Sequence, residues 1–411
     1  MPLAVFILAL LTVNSGFTNP VGLGAGERDG PGPAEVAAFR HFAIYSNGLR
    51  SRSERMQRSV RANGRASYQD EILPRVSRTF ALTIPQLPRA LRRVVTNFYL
   101  LCRIADTIED ESSLSVSQKQ YFHSLFVDVV AGRSDAERFA LELAPLLVKD
   151  ALDAEQDLVA HSGAVLEITR SFNSVQRAAL GRCVQIMCEG MPRYERAAST
   201  AGLRDQRALD QYCYYVAGVV GETLTDLFCD YSPAIAANGQ RMRTLGISFG
   251  QGLQMVNILK DFWEDHDRGV CWLPQNLFRR AGVELHRVDS GQYQPGFGAA
   301  YARLISIAHG HLRNGFEYTL LIPEQETGIR RFCLLALGLA VQTLQLIHQR
   351  PGFTCGSEVK VSHRVVTNTL IMTHLFAGYD QVLRRWFLRL GRDLPMQPGE
   401  PWQPPPHVAV N

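Results

Sequence analysis

The chain has 411 residues, enough for one large domain or two medium ones, and its 46% hydrophobic and 20% charged content is that of an ordinary globular protein. A formal net charge of +4, with no basic stripe interleaved with aromatics, gives no reason to expect a nucleic-acid partner. None of the eight cysteines forms a CxxC pair, and most sit inside apolar runs. That argues against a zinc site or a disulfide framework and for a reducing, cytoplasmic setting.

Residues 1–66 read as a leader, disordered or partly helical. The apolar run from Leu3 to Leu11 resembles a signal-peptide core, but the first basic residue, Arg28, comes after it. The run is also shorter than the roughly 20 apolar residues that a membrane span needs. A disordered or wrongly assigned start is therefore expected rather than secretion, with Met56 as a plausible later initiator. Glycines and prolines cluster between Gly22 and Pro33, followed by Arg50, Arg52, Arg55, Arg58, Arg61 and Arg65. This arginine stretch reads either as peripheral contact with an anionic membrane or as a solvated arm, and the arm is the expectation.

From 67 to 390 apolar residues recur at three- and four-residue spacing, which predicts helices and no strands. The candidates cover about 89–110, 115–131, 134–148, 173–190, 207–230, 240–266, 298–320, 326–349 and 363–390. The segment 391–411 carries Pro395, Pro398, Pro401, Pro404, Pro405 and Pro406 and is expected to be extended or disordered.

Two acidic motifs stand out. On the first predicted helix Tyr99, Arg103, Asp106 and Asp110 are spaced by 4, 3 and 4, which places them on one face about 60° wide. Gln254, Asn257, Asp261 and Asp265, spaced by 3, 4 and 4, form a second oxygen-rich stripe about 80° wide. Stacked carboxylates repel, so a helix that keeps them beside an apolar run usually has a cation to hold. Mg²⁺ suits such stripes, because it takes oxygen ligands and binds through one or two carboxylates together with substrate phosphates. A lone DxxxD is most often a solvated face. Two of them, each in an apolar helix with amide or guanidinium companions, are much harder to obtain by chance.

At these residues the chain resembles the squalene/phytoene synthase family, from about Val76 to Val366. Four blocks carry the likeness: Ser77-Arg78-Thr79-Phe80, Asp106 to Asp110, Tyr212 to Gly221 (Tyr-Cys-Tyr-Tyr-Val-Ala-Gly-Val-Val-Gly), and Gln254 to Asp265. The resemblance implies an all-α, single-domain isoprenoid-synthase-type bundle with a central cavity. It implies Asp106, Asp110, Asp261 and Asp265 as Mg²⁺ and diphosphate ligands, and Arg78 and Arg103 as diphosphate contacts. Ser77, Phe80, Tyr99 and Gly218 would border the pocket, Tyr215 would sit near the reacting carbons, and Gln254 and Asn257 would hold the second substrate. Where the family commonly has an arginine just past Gly269 this chain has Val270, and Arg268 would stand in.

Arg331-Phe332-Cys333, Glu358-Val359-Lys360-Val361 and the Val-Ala-Gly-Val-Val-Gly segment resemble the squalene-synthase branch. That implies a monomeric prenyltransferase joining two farnesyl diphosphates head to head to presqualene diphosphate, and then, with NADPH, squalene. No Rossmann GxGxxG signature is present, so a nicotinamide site would have to be built differently. Phytoene or dehydrosqualene synthesis at the same site is the nearest alternative. A non-enzymatic interaction protein on the same fold would be expected to have lost the aspartates. A class I terpene cyclase would pair DDxxD with an Asn/Ser/Glu triad instead.

Overall fold

Pro88 starts the helix that organises the bundle, and no glycine or proline interrupts it before Glu111 turns the backbone extended. In the computed structural model, which describes residues 68–77, 80–195, 199–289 and 295–404, this helix runs Arg89–Asp110. We label it α2, after α1 (Tyr68–Val76). From Val94 to Ile108 it is buried on every side, the mark of a core helix rather than a surface one. Its polar residues therefore need partners: Asn97 donates to Thr169 Oγ1 at 2.6 Å, and Arg103 pairs with Glu155.

The helices α3 (Val116–Val130), α4 (Ala136–Leu143), α5 (Asp153–Ala160) and α6 (Ser162–Arg170) pack around one another and α2. A capping box opens α3: Ser115 Oγ accepts from Gln118 N–H, and the Gln118 side chain accepts from Ser115 N–H. Next come α7 (Ser174–Glu195) and α8 (Gln206–Cys213), then a π-helical turn (Tyr214–Gly218) leading into α9 (Val219–Tyr231). The long α10 (Gly239–Lys260) breaks at Asp261 and continues as α11 (Phe262–Asp267). The last helices are α12 (Pro295–Leu321), α13 (Thr327–Gln349), α14 (His363–Phe376) and α15 (Asp380–Leu390).

The all-helical expectation holds: among the described residues the one β-bridge joins Leu203 to Pro274. α1, α5 and α6 were not foreseen. The predicted segments 207–230, 240–266 and 363–390 are each interrupted, the first by the π turn, the second at Asp261 and the third at Ala377–Tyr379.

Glycines bring three helices into backbone contact. A Cβ on Gly221 would lie 2.0 Å from Gly246 O, and one on Gly250 would lie 2.2 Å from Ala217 O. The π turn and α9 therefore lie directly on α10, and α10 packs along α12. Helix α13 is long and apolar enough to cross a bilayer, yet 67% of that apolar stretch is buried within the bundle, as befits a core helix.

The leader lies outside the described residues. Residues 405–411 lie outside them as well, and the segment 391–404 turns at Gly391–Leu394 and then carries no regular secondary structure. It runs along α12, with Gln397 N–H donating to Ser306 O at 3.0 Å and Asn314 Nδ2 to Gly399 O at 2.7 Å. Prolines remove backbone donors, so the remaining groups in this stretch find partners on a neighbouring helix instead of in a helix of their own.

Candidate active site

An apolar cavity with about 860 Å³ of atom-free space, part of it open to solvent, lies among α2, α7, the π turn, α9, α10, α12 and α13. Phe98, Val216, Leu224, Phe249, Leu253 and Phe332 are typical of its walls. Asp106 is the one carboxylate among its described lining residues.

The Ser77–Phe80 block packs on α2. Ser77 is fully buried, and its Oγ accepts from Phe80 N–H at 3.0 Å. The Phe80 and Tyr99 rings lie 4.7 Å apart, and both line the cavity. Tyr99 donates to Val76 O at 3.0 Å, and burial pushes its pKa up to about 12 despite the nearby Arg103, so it stays a neutral donor. Arg78 lies outside the described residues.

Arg103 comes with a partner that its motif does not contain. It is buried and ion-paired with Glu155, which α5 carries in, so one edge of its fork is already engaged. Its Nε and Nη1 are buried without a hydrogen-bond partner among the described residues. Glu155 was not legible beforehand, because α5 spans only 8 residues and shows little apolar periodicity.

The second stripe is nearly continuous. Asp261 N–H donates to Asn257 O at 2.7 Å, and Asp265 N–H to Asp261 O at 2.9 Å, although the backbone bends at Asp261. Gln254, Asn257, Asp261 and Asp265 are all buried. Asn257 donates to Gln254 Oε1 at 3.2 Å. Asp261 pairs with Lys260, itself buried, and Asp265 pairs with Arg268. Asp261 Oδ2 and Asn257 Oδ1 are buried without a hydrogen-bond partner among the described residues.

The two acidic motifs act on the same groups. Burial disfavours the Arg268 charge, but Asp265, Asp110 and Asp261 outweigh it and raise the pKa. Tyr212, stacked on Trp272 at 4.2 Å, has its pKa raised by burial and then by Asp265, Glu109 and Asp110. Arg268 thus sits in the field of both motifs. Tyr212 and Lys260 lie inside the motif blocks, but their spacing alone assigns them no role. Trp272 and Glu109 join the cluster only in the fold.

Tyr215 and Gly218 belong to the π turn but do not line the cavity, whereas Val216 and Ala217 do. The wider π turn carries the half-buried Tyr215 ring onto Gly190 and to 6.1 Å from Tyr194. Ser77, Gln254 and Asn257 are likewise not cavity-lining.

Among the described residues no three or more His, Cys, Asp or Glu side chains are grouped closely enough to hold a metal by themselves. An all-oxygen set with a bare buried Asp261 oxygen still fits Mg²⁺, which keeps waters and shares its shell with phosphate oxygens.

An apolar hollow in an all-helical bundle, with two acidic helix faces bearing on one arginine, defines an enzyme of the prenyltransferase class. The squalene/phytoene synthase family profile matches residues 73–365, and the chain belongs to that family. A squalene synthase from Cyberlindnera jadinii is 24% identical over 368 residues, covering 87% of this chain and 77% of its own. One from Saccharomyces cerevisiae is 27% identical over 329 residues, covering 76% and 69%. The solved structure of TcSQS with a ligand superposes with a TM-score of 0.64 at 22% identity, over 80% of this chain and 92% of that one. A dehydrosqualene synthase gives a TM-score of 0.55 at 21% identity, over 75% and 95%. At that identity the structural likeness speaks for the fold.

Proposed function

We propose that this enzyme condenses two farnesyl diphosphates head to head to presqualene diphosphate and carries the product on to squalene when NADPH is supplied. The observation that carries the reading is the apolar cavity with Asp106 in its wall, in a fold that brings Asp110, Asp261 and Asp265 to bear on Arg268.

Asp106 and Asp110 from one motif, and Asp261 and Asp265 from the other, would hold Mg²⁺. When bound, Mg²⁺ would neutralise the charge that develops on the departing diphosphate. Arg268 and the unengaged edge of Arg103 would bind diphosphate oxygens, a task suited to a planar fork. The C1–O bond of the donor breaks, a double bond of the second chain attacks C1, and loss of a proton closes the cyclopropane. The cavity walls keep water from the cation, which would otherwise be trapped as an alcohol.

A nicotinamide site of the strand-and-glycine-turn kind does not fit a chain whose described residues form no strand. The squalene branch is supported by the loop holding Glu358 to Val361, which the second motif fastens through Glu264 to Gly356.

The test is incubation of the purified protein with Mg²⁺ and farnesyl or geranylgeranyl diphosphate, with and without NADPH, followed by product identification. Presqualene diphosphate without NADPH and squalene with it are expected. A C40 product from geranylgeranyl diphosphate would replace this reading with phytoene synthesis, and squalene made equally well without nicotinamide would refute the reductive step.

A further inference from the structure

We propose that the C-terminal segment Leu394–Trp402 is a strap whose end residue, Trp402, holds the π turn that carries Tyr215 and the cavity-lining Val216 and Ala217. The proposal rests on the reading above in one respect, namely that the cavity this turn helps to wall is where the condensation takes place.

The strap is a built fit. Besides the Gln397 and Asn314 bonds to α12, His309 Nδ1 lies 3.1 Å from Pro395 O, and Leu394 is buried. The chain crosses α12 where both partners are glycine. A Cβ on Gly310 would lie 1.8 Å from Gln397 O, and one on Gly399 would lie 2.5 Å from His311 N. Any side chain at either position would lift the strap off the helix.

The strap ends at the π turn. Gln251 Nε2 donates to both Asp210 O at 3.0 Å and Trp402 O at 3.3 Å, joining the end of α8 to the strap. The Trp402 ring stands 5.3 Å from Tyr214 at 69° and 6.1 Å from Tyr215 at 47°. Tyr214 is fixed independently, since its hydroxyl donates to Glu222, which pairs with Arg182 at 2.9 Å.

Tyr215 has no such anchor of its own. Among the described residues its ring is held by packing alone: Gly190 beneath it, the Arg193 guanidinium 5.9 Å from its centroid, Tyr194, Tyr214 at 5.6 Å, and Trp402. Aromatic contacts of this kind contribute about 0.5–1.5 kcal/mol each. Losing one of so few leaves the ring free to change rotamer. Val216 and Ala217, the next two residues, are cavity wall, so a loosened turn also changes the shape of the pocket. A π turn is a common place for such a functional adjustment.

The experiment compares Trp402→Ala and Trp402→Phe with the parent full-length protein. Amide exchange at residues 214–218 is the readout that needs no turnover: it should speed up about tenfold in the alanine variant and return toward the parent rate in the phenylalanine one. With farnesyl diphosphate, kcat should fall about tenfold in Trp402→Ala with KM within about threefold. The same change made in a Tyr215→Ala background, where the ring that Trp402 packs on is already gone, should cost little more. Unchanged exchange at 214–218, or a kcat loss fully additive with Tyr215→Ala, would overturn the proposal. A parent protein that turns over no prenyl diphosphate would instead sink the functional reading, and the exchange data would still decide whether the strap holds the turn.

Discussion

The Glu264 carboxylate accepts the backbone N–H of Gly356 at 2.7 Å, across 92 residues of sequence. This bond fastens the loop holding Lys360 to the second acidic motif. A charge-assisted bond to a part-buried N–H is costly to lose, because the donor is then left without a partner. Glu264→Ala should lower stability by about 1–3 kcal/mol in urea unfolding. If the loop serves the reductive step, this variant should also accumulate presqualene diphosphate in the presence of NADPH. Glu264→Gln, which keeps an acceptor oxygen, should behave close to the parent.

Asp106→Asn and Asp261→Asn each remove a charge from one motif while keeping the side-chain volume. Turnover should fall by about 10²-fold or more, the scale seen when one charge-stabilising group is lost. Far-UV helix content should be unchanged. Full activity in either variant at ordinary Mg²⁺ would contradict the assignment of these residues.

Lys260 is as buried as the Asp261 it pairs with. Removing one member of a buried ion pair leaves the other charge uncompensated. Lys260→Met should therefore destabilise the protein by about 3 kcal/mol in denaturant unfolding. Added Mg²⁺ should restore more stability to this variant than to the parent, because a divalent ion can take over the partnership with Asp261. Equal restoration in both would argue that Asp261 is not a metal ligand.

The contact of the π turn and α9 with α10 leaves no room for a side chain at Gly221 or Gly250. Gly221→Ala should cost about 1–3 kcal/mol through overpacking, read as a lower melting temperature. The clash is with backbone oxygen, so no rotamer change can relieve it.

Asp210 gives a pH dependence. Burial raises its pKa to about 6; Gln206 opposes the shift, while Asp205 and Glu400 add to it. A folded pKa above the unfolded value of 3.8 means that the folded state prefers the protonated acid. Its stabilising contribution is complete below pH 3.8 and is lost as pH rises through about 6. Asp210→Asn should thus raise the melting temperature at pH 8 by roughly 2 °C or more, with the gain shrinking toward pH 4.

The helices that carry the acidic motifs were legible because each is long and keeps its polar residues on one face. The predicted 89–110 segment matches α2 end to end. α5 and α6 were not legible, because 8 or 9 residues give too few turns for a periodic signal, and with α5 went Glu155, the partner of Arg103. Tyr215 was expected near the reacting carbons, yet a π turn changes the rotation per residue and a helical wheel at 100° cannot anticipate where its ring goes. Trp402 lay in a proline-rich stretch where composition suggests disorder. Its packing depends on Gly310, 92 residues earlier, opening a path across α12.

Local order along the chain was enough to establish the helical class, the two acidic stripes and the family, since helix periodicity and ligand spacing are properties of neighbours in sequence. Which groups pair across the bundle was settled only in three dimensions: Arg103 with Glu155, Lys260 with Asp261, Arg268 between both motifs, and Trp402 against Tyr215. Those choices depend on burial and on close backbone contact between segments far apart in the chain, and the packing of the whole bundle determines both.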